Sequence, residues 1–160
     1  DSLTGLYNRS KLDAILADQI ARYKRNRRPF AVLLLDVDHF KTLNDSCGHI
    51  AGDELLAAVA KILAQSIRSV DFAARYGGDE FVIILIDTPT GAALETAERI
   101  RSQVENAQYS AGEESIVVTV SVGVAQWQAD DLAPAAVFAR ADQALYEAKR
   151  AGRNRVFCAA

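Results

Sequence analysis

Apolar residues recur along this chain at two different spacings, and the alternation between them lays out the elements. Leu12, Ile15, Leu16, Ile20 and Tyr23 stand near helical spacing and predict a helix from Arg9 to about Arg25. Phe30-Ala-Val-Leu-Leu-Leu-Asp36 is instead a continuous apolar run, the pattern of a strand covered on both faces. Two acidic residues, Asp36 and Asp38, end it abruptly. A short helix is expected around Phe40 to Asn44. A longer one follows Gly52, with Leu55, Leu56, Val59, Ile62, Leu63 and Ile67 on its buried stripe. Asp71 to Tyr76 and Glu80 to Asp87 read as strands. The Gly77-Gly78 pair between them predicts a tight hairpin, because glycine reaches positive φ without a steric penalty. Thr90 to about Ala107 reads as a helix and Ile116 to Ala125 as a Val-rich strand. Pro134 to Ala151 reads as a helix with proline in its first turn and Gly152 at its C-cap, and Arg155 to Cys158 as a short last strand.

Helices interleaved with strands, plus one internal hairpin, predict an α/β (α+β) domain. Its plan is a mixed central sheet on a ferredoxin-like βαββαβ core with added helices. The 160 residues suit one domain spanning 1–160. Half of them are hydrophobic and 24% are charged, so the chain is neither disordered nor fibrous. A net charge of −3 argues against a dedicated nucleic-acid binder. No apolar run approaches the ~20 residues that cross a bilayer, and no membrane contact by this domain is expected. Cys47 and Cys158 lie far apart without metal-ligating neighbours, which fits a reducing cytoplasm rather than a disulfide framework or a zinc site. The chain has no methionine and begins at Asp1, so it reads as a domain excised from a longer protein. An anchor elsewhere in that protein is compatible with a cytoplasmic domain.

The candidate chemistry lies at the ends of the buried strands. If the strands ending at Asp36 and beginning at Glu80 are neighbours, Asp36, Asp79 and Glu80 converge at one sheet edge. Carboxylates so close need a cation or a raised pKa. Oxygen ligands without His or Cys point to Mg²⁺, which keeps waters and shares phosphate oxygens with a substrate. Spacing alone leaves a second reading open, in which Asp79 and Glu80 only decorate a turn. Asp38 is expected to N-cap the following short helix. Lys41, Lys149, Arg150, Arg153 and Arg155 could hold phosphates, or could simply oppose a helix dipole. The basic run Arg22, Lys24, Arg25, Arg27 and Arg28 reads as a solvated helix end.

At this point the residues resemble a family, the GGDEF domains of diguanylate cyclases. Arg75-Tyr-Gly-Gly-Asp-Glu-Phe81 is similar to its signature. Asp1-Ser-Leu-Thr-Gly-Leu-Tyr-Asn-Arg9, Asp36-Val-Asp-His-Phe-Lys-Thr-Leu-Asn-Asp45 and Gly48-His-Ile-Ala-Gly-Asp-Glu-Leu-Leu56 resemble its earlier segments. Ser121-Val-Gly-Val-Ala125, Ala141 to Lys149 and Gly152-Arg-Asn-Arg155 resemble its later ones. The likeness runs the length of the chain.

The resemblance implies a fold like the palm of nucleotide cyclases and polymerases. It implies an enzyme that condenses two GTP into cyclic di-GMP and two pyrophosphates where two copies of the domain meet. A homodimer and an upstream regulatory domain go with that activity. Asp79 and Glu80 would be catalytic. Asp36, the Val37 carbonyl, Asp79 and Glu80 would hold Mg²⁺, with Mn²⁺ as substitute. Phe40, Lys41, Asn44, His49, Asp53, Leu56, Gly77, Gly78, Lys149 and Arg153 would contact substrate, with Asn44 and Asp53 reading guanine. A carboxylate can accept both donors on the guanine edge, whereas adenine would leave it unsatisfied at a cost of roughly 1–3 kcal/mol. Asp53 also suits a helix first turn. Arg68-Ser-Val-Asp71, with Arg99, would form an inhibitory product site; the plainer reading is a surface ion pair. A different class remains as alternative, a catalytically silent GTP or cyclic di-GMP sensor module.

Overall fold

The computed structural model describes residues 1–160. Five principal helices and seven strands follow in the order α1 (Arg9–Asn26), β1 (Ala31–Val37), α2 (Phe40–Cys47), α3 (His49–Ser66), β2 (Phe72–Arg75), β3 (Glu80–Leu85), α4 (Thr90–Asn106), β4 (Tyr109–Ala111), β5 (Glu114–Ile116), β6 (Val120–Gln126), α5 (Pro134–Arg150) and β7 (Val156–Cys158). The main sheet runs β2-β3-β1-β6-β7. β1 is antiparallel to both β3 and β6, and β7 adds to β6 in parallel, so the sheet is mixed. Strands β1, β2, β3 and β6 with α3 and α4 form the expected ferredoxin-like core, to which α1, α2, α5 and β7 are additions.

The strand periodicity explains the two layers of helix. Leu33, Leu35, Phe81, Ile83, Val122 and Val124 face α3 and α4 in a core of 22 buried residues. Their alternates Val32, Leu34, Val82 and Ile84 face α1 and α5 in a second core of 15. Both faces of β1 are therefore dry, which is why its sequence is continuously apolar.

One glycine sets the fit of a layer. A Cβ on Gly123 would stand 2.1 Å from the Ala141 carbonyl and 2.4 Å from the Leu145 nitrogen, both backbone atoms of α5. Gly123 thus lets α5 lie directly on β6. A side chain there would overpack the contact, at a typical cost of 1–3 kcal/mol.

Several expectations need correction. α3 begins at His49, not after Gly52. Gly48, at φ 86°, breaks α2 and restarts the chain, and Gly52 lies inside the new helix. The strand expected from Ile116 to Ala125 is split: Ile116 belongs to a small β4–β5 hairpin turning at Gly112, and the sheet strand starts at Val120. Alternation cannot distinguish a strand that changes sheet from one that continues. α5 is capped by Ala151, with Gly152 one residue beyond at φ 117°.

Candidate active site at the hairpin edge

β1 carries Asp36 to the sheet edge, and the β2–β3 hairpin brings Asp79 beside it. Asp36 and Glu80 are cross-strand partners, and the Val37 N–H donates to the Asp79 carbonyl at 3.2 Å. The Asp36 side chain is 12% exposed and its carboxylate accepts one hydrogen bond, from the Lys149 ammonium at the end of α5. Burial is the main cause that pushes its pKa up to about 6; Lys149 opposes the rise and the Asp79 carboxylate adds to it. One cation does not offset the loss of water together with a second carboxylate alongside.

Glu80 departs from the expected convergence. Its carboxylate folds back under the hairpin, where it would meet a Cβ on Gly77 at 2.6 Å. No three His, Cys, Asp or Glu side chains stand together as a metal cage.

The hairpin is built differently from the tight turn expected. Neither Gly77 nor Gly78 has positive φ. Four residues, Tyr76 to Asp79, separate the strands, and the Tyr76 and Gly77 N–H groups both donate to the Glu80 carbonyl, at 2.8 and 3.3 Å. Arg75 holds the tip: its guanidinium donates to the Gly77 carbonyl (3.2 Å) and the Gly78 carbonyl (2.8 Å) and reaches Asp1 at 3.4 Å. The glycines act through what they lack. Gly77 leaves room for Glu80, and a Cβ on Gly78 would meet nothing within 4 Å, so the turn presents bare backbone outward. The role of Arg75 was not read from the sequence, although it opens the signature; an arginine beside two glycines is the signal for a guanidinium clamping carbonyls.

Phe40, Lys41 and Asn44 lie on α2, and His49, Asp53 and Leu56 on α3. Lys41, His49 and Asp53 are exposed. Leu56 is 2% exposed inside the core, so it supports the surface from beneath. Asn44 Oδ1 is the buried side-chain oxygen without a hydrogen-bond partner. It lies against Gly52, where a Cβ would stand 1.8 Å from it. An orphaned acceptor, kept open by a glycine, has the character of a ligand-binding group.

Asp38 is not the expected N-cap. His39 holds that position at φ 56° with no side-chain bond. The Asp38 carboxylate instead accepts from Thr119 Oγ1 and Ser121 Oγ, both at 2.7 Å, and from the Asn154 N–H at 3.0 Å. It joins β1, β6 and the turn after α5. Arg153, in that turn, is exposed and holds φ 65°. Non-glycine residues in this region cost of order 1–3 kcal/mol and persist where the surroundings enforce them.

A pocket of about 370 Å³ lies at the other end of β3, and Arg68, Asp71 and Arg99 all line it. Asp71 is 8% exposed. It accepts from the Arg68 N–H (2.9 Å), from the Arg68 guanidinium (3.0 and 3.1 Å) and from the Ile86 N–H (2.9 Å). Arg99 donates to the Ser66 carbonyl at 2.7 Å, closing the end of α3. This is more than a surface ion pair, since Asp71 ties the turn before β2 to the end of β3.

The fold and the acidic hairpin edge define an α+β domain of the nucleotide-cyclase palm type. The family model described as "Diguanylate cyclase, GGDEF domain" matches residues 1–155, and the chain belongs to that family. It is 42% identical over 156 residues to the diguanylate cyclase DgcP of Pseudomonas aeruginosa, covering 98% of this chain and 23% of DgcP. It is also 42% identical over 158 residues to the response regulator PleD of Caulobacter vibrioides, covering 98% of this chain and 35% of PleD. The chain thus spans about a quarter to a third of these relatives. The crystal structure of the GGDEF domain of DgcB from Caulobacter crescentus, in complex with c-di-GMP, superposes with a TM-score of 0.94 at 36% identity, covering 99% of this chain and 94% of that one.

Proposed function

We propose that this domain condenses two GTP into cyclic di-GMP and two pyrophosphates, with Asp36 and Asp79 at the centre of the chemistry. One observation carries the reading: a buried carboxylate, its pKa raised to about 6, stands beside a second carboxylate at a backbone edge with a single ammonium partner. Such a pair favours a cation. The donor set fits a hard divalent ion, because every candidate ligand is oxygen. The lack of a complete side-chain cage suits an ion that keeps water and shares phosphate oxygens. Asp36, Asp79 and the Val37 carbonyl would hold Mg²⁺, or Mn²⁺ in its place, with Glu80 alongside. When bound, the ion supplies charge neutralisation to the attacking 3′-hydroxyl and the departing pyrophosphate.

The chain's own groups do the rest. Asn44 Oδ1 and the Asp53 carboxylate accept from the guanine edge, with Phe40 and His49 flanking and Leu56 beneath. Lys41, Lys149 and Arg153 bind the triphosphate, with Lys149 turning from Asp36 to phosphate oxygens. The bare Gly77-Gly78 backbone lets the α-phosphate approach Asp79. One domain binds one GTP, so two domains meet face to face for each 3′-hydroxyl to attack the other α-phosphorus. Turnover then rises more steeply than linearly with protein concentration while monomer dominates. The domain serves as the catalytic part of a longer protein whose upstream module governs pairing. No helix is long and apolar enough to cross a membrane. The Arg68, Asp71 and Arg99 pocket would take the product and slow the enzyme. The sensor alternative leaves the sparsely partnered Asp36 carboxylate beside Asp79 unexplained.

The test is incubation of wild type and Asp79→Ala with GTP and Mg²⁺ at high protein concentration, followed by chromatography. Cyclic di-GMP is expected from the wild type only. Turnover by Asp79→Ala at the wild-type rate would overturn the assignment.

A further inference from the structure

The turn after α5 is the one place where three consecutive residues hold positive φ: Gly152 at 117°, Arg153 at 65° and Asn154 at 46°. Helix-end hydrogen bonds account for the first two. The Gly152 N–H donates to the Lys149 carbonyl at 3.3 Å and the Arg153 N–H to the Ala148 carbonyl at 3.0 Å. Asn154 is held from outside. Its N–H donates to Asp38 Oδ2 at 3.0 Å. Its side chain accepts from Arg101 at 2.7 Å and donates to Glu105 at 2.9 Å, both on α4. Asp38 is itself anchored at the start of β6 through Ser121 and, just before the strand, Thr119. The carboxylate that captures this turn sits two residues beyond Asp36 on the same chain segment.

We infer that Asp38 and Asn154 are positioning residues for the triphosphate. Resting on the function proposed above, the inference is that they fix the distance between the acidic edge and the two cations of the α5 turn. Arg153 directly precedes Asn154, and the Lys149 carbonyl closes the same turn. Without the Asp38 bond, a turn with two non-glycine residues in the left-handed region relaxes, and both cations lose their aim. Both Asp38 oxygens are occupied by protein donors, so the residue acts through the turn and not on substrate. Guanine recognition on α2 and α3 is separate from this network.

The test compares GTP and GMP affinity by calorimetry in Mg²⁺, with KM and kcat alongside, for wild type, Asp38→Asn and Asn154→Gly. Asp38→Asn keeps the shape but removes the charge and leaves one amide oxygen where two carboxylate oxygens accepted from Thr119, Ser121 and Asn154. Asn154→Gly keeps the N–H and tolerates positive φ while removing the clamp from α4. Both variants are expected to bind GTP about tenfold more weakly, as for one lost charge-assisted contact, while GMP affinity stays within about twofold. KM for GTP rises in parallel. A wild-type ratio of GTP to GMP affinity in a folded variant would overturn the inference, as would equal loss for both nucleotides. If Asp38→Asn does not fold, Asn154→Gly decides. Wild type that binds no GTP would instead defeat the proposed function, and this inference with it.

Discussion

Asp36, within β1, and Asp71, just before β2, are both buried acidic residues, with side chains 12% and 2% exposed. Asp71 accepts from two backbone N–H groups and a guanidinium. Asp36 has one ammonium and a neighbouring carboxylate, and its pKa is raised to about 6. The first carboxylate is spent on structure. The second is left short of partners, which is the condition that binds a cation or a substrate. Burial alone therefore says little about a role; the number of donors decides it.

The largest effect should come from removing the carboxylate with fewer donors. Asp36→Ala is expected to lower cyclic di-GMP formation by at least about 10³-fold, the scale of losing a principal electrostatic group. The fold should stay intact, which circular dichroism checks. Asp71→Ala should do the opposite. It orphans the Ile86 N–H, so the domain loses about 1–3 kcal/mol, seen as a lower midpoint in thermal melts. Its turnover per folded molecule should stay within a few-fold of wild type.

A subtler effect concerns pH. Folding raises the Asp36 pKa from 3.8 to about 6, so the folded chain holds this proton more tightly than the unfolded one. The stability it contributes is fully present below about pH 3.8 and is lost as pH rises through about 6. Asp36→Asn, which keeps the site neutral, should flatten the metal-free stability profile between about pH 4 and 6 and match or exceed wild-type stability at pH 7. A steeper profile in the variant would contradict the raised pKa of Asp36. The smallest effect on stability belongs to Arg68→Ala. The Arg68 side chain is 58% exposed, so its removal should cost under about 1 kcal/mol. It should nonetheless weaken inhibition by added cyclic di-GMP, and unchanged inhibition would remove Arg68 from a product site.

Much of this was legible in the sequence because one physical signal dominated each stretch. A doubly buried strand reads as continuous apolar residues, and Phe30 to Asp36 is such a run. The helical stripes of α1 and α3 were equally plain. What escaped was set by side-chain contacts that the apolar pattern does not record. Asp38 looked like a cap because its partners Thr119, Ser121 and Asn154 lie more than eighty residues away. Gly77 and Gly78 invited a positive-φ turn, whereas their surroundings demand room for Glu80 and open backbone. Local pattern reports a residue's own conformation well and its distant partners poorly. That is also why Asp36 and Asp79 could be suspected from spacing, while the orphaned Asn44 oxygen could not.

The contact at Gly123 bears on how silent members of such a family arise. Gly123 is buried beneath α5 and carries no polar side chain, and a search for lost carboxylates would pass over it. Yet Lys149 sits one turn beyond Leu145, the residue that a Cβ on Gly123 would strike. A methyl group added in the interior would tilt the end of α5 and carry its lysine away from Asp36. A chain can thus keep every letter of its signature and still lose its trade, through one hydrogen exchanged for carbon beneath a helix.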